Sequence, residues 1–495
     1  MLHPMKPILR NKWFRRLCQT LLALVSLLIL AVVAINWWGA RMKRDLIAQM
    51  CAAGRPTSIA EMLEPLPPDN DNFAMIPILA QARDEYWHGP SNGKSPTPDQ
   101  ARSKLAALGA PSLKGNRGFG KAGKPDLSRW KEALQLSGSD AECLAAYDQQ
   151  FGDILAQLRE GLSRLHTASP LLHRVAAATE IEPACFGFPP CLIELASGIR
   201  FRAELGLAAA RPEIAQESLL IYLRLAELIH SDAYLMGQAF QNTFIYQIKP
   251  TFARTLASGQ WNQAQLAALH DALARLDALR GNRRDLDLDN VYLFAWFERR
   301  KTHPDERRNL LNTTRGLRRY PMPAWLNDSL IKIDETLAKA LPDGWFDANA
   351  ALAVDAGVQL RNELGESDNL GLWLRVCDHA KSHTAALSVW NGWRQGTGYG
   401  RDWPTSLLYE PHVQILLQQA RLACDLEIHR LKHGRYPANL RDLQGAAIID
   451  SLTGEPFIYR ITDTSYRLYS VGADGKDDGG EPSGHNPGKD LDWVW

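Results

Sequence analysis

The sequence predicts a mainly α-helical protein with three parts: a single transmembrane helix, a long all-α body and a small α+β C-terminal domain. Residues 17–38 form one apolar stretch, long enough for a membrane crossing of about 20 residues. In residues 128–400, apolar side chains recur every three or four positions, as they do on amphipathic helices. Residues 457–461 and 466–470 are rich in aromatic and β-branched side chains, which is typical of the two strands of a short antiparallel hairpin.

The N-terminal apolar stretch is predicted to anchor the protein in the inner (cytoplasmic) membrane as a single-pass helix. Within residues 21–35 only Ser26 is polar, and two tryptophans follow where an interfacial aromatic belt belongs. Lys and Arg residues are more frequent before the stretch than directly after it. This excess predicts a cytoplasmic basic tail at residues 1–16 and places residues 39–495 on the extracytoplasmic or periplasmic side.

A cleaved signal peptide is the alternative interpretation of the same stretch. Cleavage would have to occur near Ala34, where Val32-Val33-Ala34 is a poor processing sequence. The tryptophans that directly follow the apolar core favour an uncleaved anchor.

Changes in composition predict the remaining domain boundaries. Residues 39–88 continue as a juxtamembrane helical segment, and residues 89–127 form a Gly-, Pro- and Lys-rich linker around a short helical piece. The helical body spans residues 128–400, and a Gly- and Trp-rich loop separates it from the C-terminal domain at residues 405–495. The net charge of +1 gives no electrostatic reason to expect nucleic-acid binding.

The C-terminal domain contains several short motifs in a defined order. A helix predicted over residues 410–433 stops at Gly434, because glycine favours the left-handed conformation that ends helices. The motifs that follow are Tyr436-Pro437, the turn Asp450-x-x-Thr-Gly454-x-Pro456, the predicted hairpin, Ser470-Val-Gly-Ala-Asp474-Gly475 and Asp490-Leu-Asp492.

This order of motifs resembles the globular domain of the major (G-type) pseudopilin of type II secretion. In that family the last loop holds a structural Ca²⁺, and the matching positions imply Asp474, Asp490 and Asp492 as ligands, with Ser470 nearby. The cleavable leader and the Phe-Thr-Leu-x-Glu opening of the pseudopilin membrane helix have no counterpart here. The resemblance therefore implies a borrowed domain and not a filament subunit. In general layout, the remainder of the chain resembles only uncharacterised membrane-anchored bacterial proteins.

The acidic loop also has an interpretation without a metal. Asp477 and Asp478 are additional acids that the resemblance does not assign. Converging carboxylates repel one another unless a cation neutralises them, which favours a hard cation such as Ca²⁺ if the loop folds on itself. A solvated acidic turn is the alternative if the carboxylates stay apart.

Two other groups of residues have spacings that suggest chemistry. Cys185 and Cys191 flank a Pro-containing loop, and beyond the membrane they are predicted to form a disulfide, with two buried thiols as the alternative. His379 and His383 are four residues apart on a predicted helix, so both imidazoles face one side and could ligate Zn²⁺. The glutamate of the zinc-peptidase pattern is missing, so a His pair without metal is the favoured interpretation.

Together these features predict a non-enzymatic scaffold or interaction protein on the extracytoplasmic side of the membrane. Its contacts would be the membrane through residues 17–38 and unidentified protein partners, with a calcium-stabilised tail linked to a secretion or pilus-like apparatus. The alternative is an extracytoplasmic metal-dependent hydrolase in the helical body, with His379 and His383 as its metal ligands.

Overall fold

The computed structural model is mainly helical and has a small antiparallel sheet near the C-terminus, which confirms the predicted helical fold class and the hairpin. The structure describes residues 12–87, 100–109, 126–177, 188–231, 237–276, 278–303, 307, 332, 336–367, 369–376, 403–443, 448–462, 465–482 and 492–495.

The helices and strands are numbered in chain order. The helices are α1 (Lys12–Ala52), α2 (Pro77–Trp87), α3 (Gln100–Leu108), α4 (Leu127–Ala133), α5 (Asp140–Gln150), α6 (Gly152–Gly161), α7 (Leu171–Ala177), α8 (Phe188–Ala208), α9 (Pro212–Ser231), α10 (Gly237–Ala257), α11 (Gln263–Ala274), α12 (Ala278–Thr302), α13 (Asp343–Leu364) and α14 (Trp403–His433). The strands are β1 (Ile458–Ile461), β2 (Tyr466–Ser470) and β3 (Trp493–Val494).

The described residues form two compact units. The first unit contains the described residues of 1–61 and 289–362. The second contains those of 62–288, 363–382 and 402–495. The C-terminal residues therefore fall in the same unit as most of the helical body.

In the first unit, α1 changes from an exposed to a buried helix along its length. Its apolar side chains between residues 17 and 33 are almost all exposed, with Leu22 at 72%. The helix is long and apolar enough to cross a membrane. Beyond residue 38, side chains at helical spacing become buried, including Leu46 and Met50. The apolar span thus continues without a break into a helix that packs inside the unit.

Two glycines allow α1 and α13 to approach to backbone contact. A Cβ at Gly39 would overlap the backbone of Gly344, and a Cβ at Gly344 would overlap the backbone of Ile35 and Asn36. The side chain of Asn36 accepts a hydrogen bond from the backbone N–H of Gly344 at 2.7 Å. This bond satisfies one of the free donors in the first turn of α13.

A network of four charged side chains joins α1, α12 and α13. Lys43 pairs with Glu298 and lies 3.3 Å from Asp347, and Lys301 lies 3.1 Å from Asp347. The side chain of Asp347 is only 8% exposed, so two ammonium groups share one largely desolvated carboxylate. Burial by itself lowers the pKa of Lys43, but the hydrogen bond to Glu298 and the two negative charges outweigh it and raise that pKa above its usual value.

The core of the second unit is built on α8 and α9, which are joined by a short turn. Aromatic rings attach α4 and α5 to α8: Trp130 stacks on Phe201 with ring centroids 4.8 Å apart, and Tyr147 meets the same ring edge-on at 5.6 Å. All three rings are almost completely buried. These contacts fix the short helices on the long ones.

The short helix inside the predicted linker, α3, belongs to this core. Ala101, Leu105 and Leu108 are buried on one face of α3. Gly198 of α8 permits the close approach, because a Cβ there would overlap the backbone of Leu108. This part of the linker is therefore a packing element.

The C-terminal part of the second unit follows the predicted order of elements. The helix α14 begins at Trp403, earlier than predicted, and ends at His433. Gly434 follows with a φ of +72°, the left-handed conformation expected after a helix. In the sheet, Ile458 of β1 lies opposite Tyr469 of β2. The third strand, β3, which the sequence did not predict, pairs antiparallel with β2 at the end of the chain.

Candidate functional site

The third strand brings the end of the chain back beside the acidic loop. Ser470, the last residue of β2, lies opposite Trp493 of β3, and Asp492 directly precedes that strand. A single bridge also joins Asp492 to Pro482. Ser470 and Asp492, two of the residues implied by the pseudopilin resemblance, therefore lie at the same end of this sheet, on or beside neighbouring strands.

Among the carboxylates of this loop that the structure describes, Asp492 most requires a partner. It is fully buried, and its Oδ2 accepts a hydrogen bond from the backbone N–H of Gly480 at 2.6 Å. Its Oδ1 is buried and has no hydrogen-bond partner among the described residues. Burial raises the pKa of Asp492, backbone hydrogen bonds from Gly480 and Asp478 act in the opposite direction, and the charges of Asp477 and Asp478 add smaller contributions to the rise. A cation or a proton at Oδ1 would relieve this desolvation.

Asp474 and Ser470 have other partners in the structure. The Oδ1 of Asp474 accepts from the backbone N–H of Lys476 at 3.1 Å, and the ammonium of Lys476 lies 3.7 Å from its other oxygen. The hydroxyl of Ser470 donates to the carboxylate of Asp450 and accepts from the N–H of Gly472 at 3.3 Å. These contacts fix the turn that follows β2, and they keep the Ser470 hydroxyl turned towards Asp450.

Asp477, which the resemblance left unassigned, is held by a different set of contacts. Its carboxylate lies 2.8 Å from the guanidinium of Arg460 and accepts from the hydroxyl of Tyr469 at 2.8 Å and from the N–H of Gly479 at 2.9 Å. The bond from Gly479, followed by those from Tyr469 and Arg460, lowers the pKa of Asp477 below its usual value. The hairpin itself therefore neutralises this acid.

The complete predicted ligand set cannot be assembled from the described residues, because Asp490 lies outside them. Within the part of the chain that the structure describes, no three His, Cys, Asp or Glu side chains are grouped as a metal site. The donor set therefore fits Ca²⁺ in part: Asp492 offers a buried oxygen, and Asp474 lies in the adjoining turn. The calcium ligands remain a prediction.

Asp450, which the sequence indicated only as part of a turn, is buried in the structure. It is 2% exposed, its Oδ1 accepts from the N–H of Leu452 at 2.8 Å, and its carbonyl accepts from the N–H of Gly454 at 2.8 Å. Burial raises its pKa, and the bond from Ser470 acts in the opposite direction. The motif Asp450-x-x-Thr-Gly454 could have indicated this role, since an aspartate at the start of a turn commonly accepts a hydrogen bond from the backbone two residues further on.

The C-terminal strand is fixed to α10 and α14 by polar as well as aromatic contacts. The ring of Trp493 lies 4.7 Å from that of His412, and the amide of Gln419 donates to the carbonyl of Trp493 at 2.7 Å. The ammonium of Lys249 donates to the carbonyl of Val494. Burial lowers the pKa of Lys249 to about 8. The end of the chain is thus an integral part of the second unit.

A buried polar cluster continues from this strand between α10 and α14. The hydroxyl of Tyr246 lies 2.8 Å from Nδ1 of His412, and the amide of Asn242 donates to Glu410 at 2.9 Å. His412 and Glu410 are each only 1% exposed. These hydrogen bonds join α10 and α14 inside the core.

The other predicted site residues are only partly described. Cys191 is buried at the start of α8, but Cys185 lies outside the described residues, so the disulfide remains a prediction. His379 and His383 also lie outside them, and the proposed zinc ligands are therefore untested.

The chain matches no protein-family model, no curated protein and no solved structure. The pseudopilin resemblance therefore rests on the order of the C-terminal motifs alone.

Proposed function

We propose that this protein is a non-enzymatic, membrane-anchored scaffold whose residues 39–495 lie on the extracytoplasmic side of the inner membrane. The observation that carries the proposal is the change in α1 from an exposed apolar span, residues 17–33, to a buried helix beyond residue 38. A core helix of a soluble protein would have both halves buried, whereas a membrane anchor exposes its span to lipid. The same helix then provides a rigid attachment for the first unit.

The proposed orientation rests on the charges and aromatic residues at the ends of the span. Arg15 and Arg16 precede it, and Trp37 and Trp38 follow it with 60% and 47% exposure. Tryptophans are enriched at the membrane surface, and positive charge before the span retains the N-terminus in the cytoplasm. The guanidinium of Arg41 lies 5.5 Å from the ring of Trp37, which suits a residue in the headgroup region.

A reporter fusion tests this orientation. Alkaline phosphatase fused after Trp495 should be active in cells, because the enzyme is active only outside the cytoplasm, whereas a fusion after Arg16 should be inactive. Activity would be measured in whole cells alongside the membrane content of each fusion. Cytoplasmic location of the C-terminal fusion, or its release into the soluble fraction after processing near Ala34, would contradict the proposal.

We further propose that Ca²⁺ stabilises the C-terminal loop. Support comes from the buried, incompletely bonded carboxylate of Asp492 and from the neighbouring turn that contains Asp474. Asp474, Asp490 and Asp492 would hold the ion, and the ion would supply positive charge to carboxylates that otherwise repel one another. These residues would thereby tie the end of the chain to the hairpin and present a rigid surface to protein partners, among them components of a secretion or pilus-like apparatus.

Calcium is expected to stabilise the acidic loop of the detergent-solubilised full chain. A ligand that binds only the folded state stabilises it by about 2.7 kcal/mol at a hundredfold excess over its dissociation constant. Amide hydrogen exchange of residues 466–482 and 492–495 should therefore be slower with Ca²⁺ than with chelator. Mg²⁺ should have a smaller effect, because it requires a tighter octahedral shell.

Variants of the same loop provide matched controls for the calcium experiment. Asp492→Asn and Asp474→Ala should remove the calcium-dependent difference. Asp477→Asn should retain it, since that carboxylate is bonded to Arg460 and Tyr469. If calcium does not change exchange in the unsubstituted protein, the loop is a solvated turn.

A further inference from the structure

The direction of α13 beside α1 bears on which other residues lie near the membrane. Gly344, in the first turn of α13, contacts Ile35 and Asn36 at the end of the apolar span. One turn later, Asp347 pairs with Lys43, which lies further from the span along α1. Both helices therefore run away from the membrane side by side, at about 1.5 Å per residue. The first turn of α13 therefore lies beside the end of the apolar span, and the residues that enter it directly precede this contact.

The segment that enters α13 has the side chains of a membrane-surface element. Leu337 is 49% exposed, and the partly exposed Leu341, Pro342 and Trp345 continue the apolar character. Lys339 is also exposed, and cations beside such a segment favour anionic headgroups. The segment thus resembles short interfacial elements, in which apolar side chains enter the headgroup region while charges stay outside it.

The segment is held in place by Arg307, which is itself almost completely buried. The guanidinium donates to the carbonyls of Lys339 at 2.9 Å and Leu341 at 3.2 Å, and it lies 4.4 Å from the ring of Phe346. It is also 3.9 Å from the carboxylate of Asp343, an exposed acid that this pairing partly neutralises. An exposed leucine on a fixed turn, seven residues before the contact of Gly344 with the end of the span, is well placed for contact with lipid.

We infer that residues 337–345 form a second membrane contact, in which Leu337 inserts into the headgroup region of the bilayer beside the anchor helix. The inference rests on the proposed membrane anchoring by α1. It would give the first unit a fixed tilt on the membrane surface, because a helix and a separate surface segment then hold it at two points.

Photo-crosslinking to lipid tests this inference on the full chain in vesicles of phosphatidylethanolamine and phosphatidylglycerol. Benzoylphenylalanine would replace Leu337, Leu24 within the apolar span, or Gln49, an exposed position 13 residues beyond Asn36 on α1. That separation corresponds to about 20 Å along the helix. Mass spectrometry after irradiation should find the added mass of a phospholipid on the variants labelled at positions 24 and 337. The variant labelled at position 49 should carry no such adduct.

The three positions separate failure of this inference from failure of the anchor. Lipid adducts at position 24 without any at position 337 would overturn the surface contact and leave the anchor intact. Absence of adducts at both positions would contradict the anchor, and with it the inference. Equal adduct yields at positions 49 and 337 would also overturn the inference, because the labelling would then not depend on distance from the membrane.

Discussion

Replacing Trp493 with alanine is expected to release the C-terminal strand and lower the local free energy of unfolding by about 3–5 kcal/mol, as for other buried Trp→Ala changes. Trp493 is fully buried and packs on His412. The alanine variant keeps the backbone bond from Gln419 but leaves a cavity between the sheet and α14. Because Asp492 directly precedes Trp493, loosening of this strand would also disturb the proposed calcium loop.

Hydrogen exchange and a conservative variant separate packing from other effects of this change. Each 1.4 kcal/mol corresponds to a tenfold change in an equilibrium constant, so exchange of β2 and β3 amides should accelerate about a hundredfold or more. Trp493→Phe keeps a ring over His412 and should lose much less protection. Unchanged exchange in the alanine variant would show that Trp493 does not hold the strand.

Local sequence patterns were sufficient to predict the elements whose stability depends on nearby residues. The apolar span could be predicted from its length and its flanking charges, and the hairpin from two aromatic, β-branched segments separated by a short polar linker. The end of α14 could be predicted from Gly434 alone, because its positive φ is unfavourable for other residues. In each case the evidence lies within a few positions of the element.

Contacts between distant residues could not be predicted in this way. β3 is only two residues long, and its pairing with β2 depends on where the intervening chain returns. The ion pair between Asp477 and Arg460 likewise depends on the register of the hairpin. For this reason the sequence left Asp477 and Asp478 unassigned, whereas the structure shows Asp477 neutralised by Arg460 and Asp492 buried.

Composition was a poor guide to the role of α3. The Gly- and Pro-rich segments around it predicted a linker, yet Leu105 and Leu108 are buried against α8. The three-residue spacing of these leucines was visible in the sequence, but its partner, the small surface at Gly198, lies far along the chain. A short amphipathic helix is recognised as a core element only when the surface that it covers is known.

Asp347→Ala is expected to weaken the attachment of the anchor helix to the first unit by about 3 kcal/mol, at the lower end of the range for breaking a buried ion pair. The substitution leaves the ammonium groups of Lys43 and Lys301 without the carboxylate that they share. Both lysines are slightly more than 20% exposed, so water would solvate part of the remaining charge. Exchange of α1 amides at residues 39–50 should accelerate in the detergent-solubilised protein.

Two further variants make this expectation specific to the ion network. Asp355→Ala removes a different carboxylate from the same helix, and the side-chain partner of that carboxylate is the exposed Gln359. This substitution should lower the free energy of unfolding by less than about 0.5 kcal/mol. Adding Lys301→Met to Asp347→Ala should restore part of the lost protection, because the repulsion between two ammonium groups is then removed. Equal exchange rates in the Asp347 and Asp355 variants would mean that the glycine contact between α1 and α13, rather than the charges, holds the anchor helix in place.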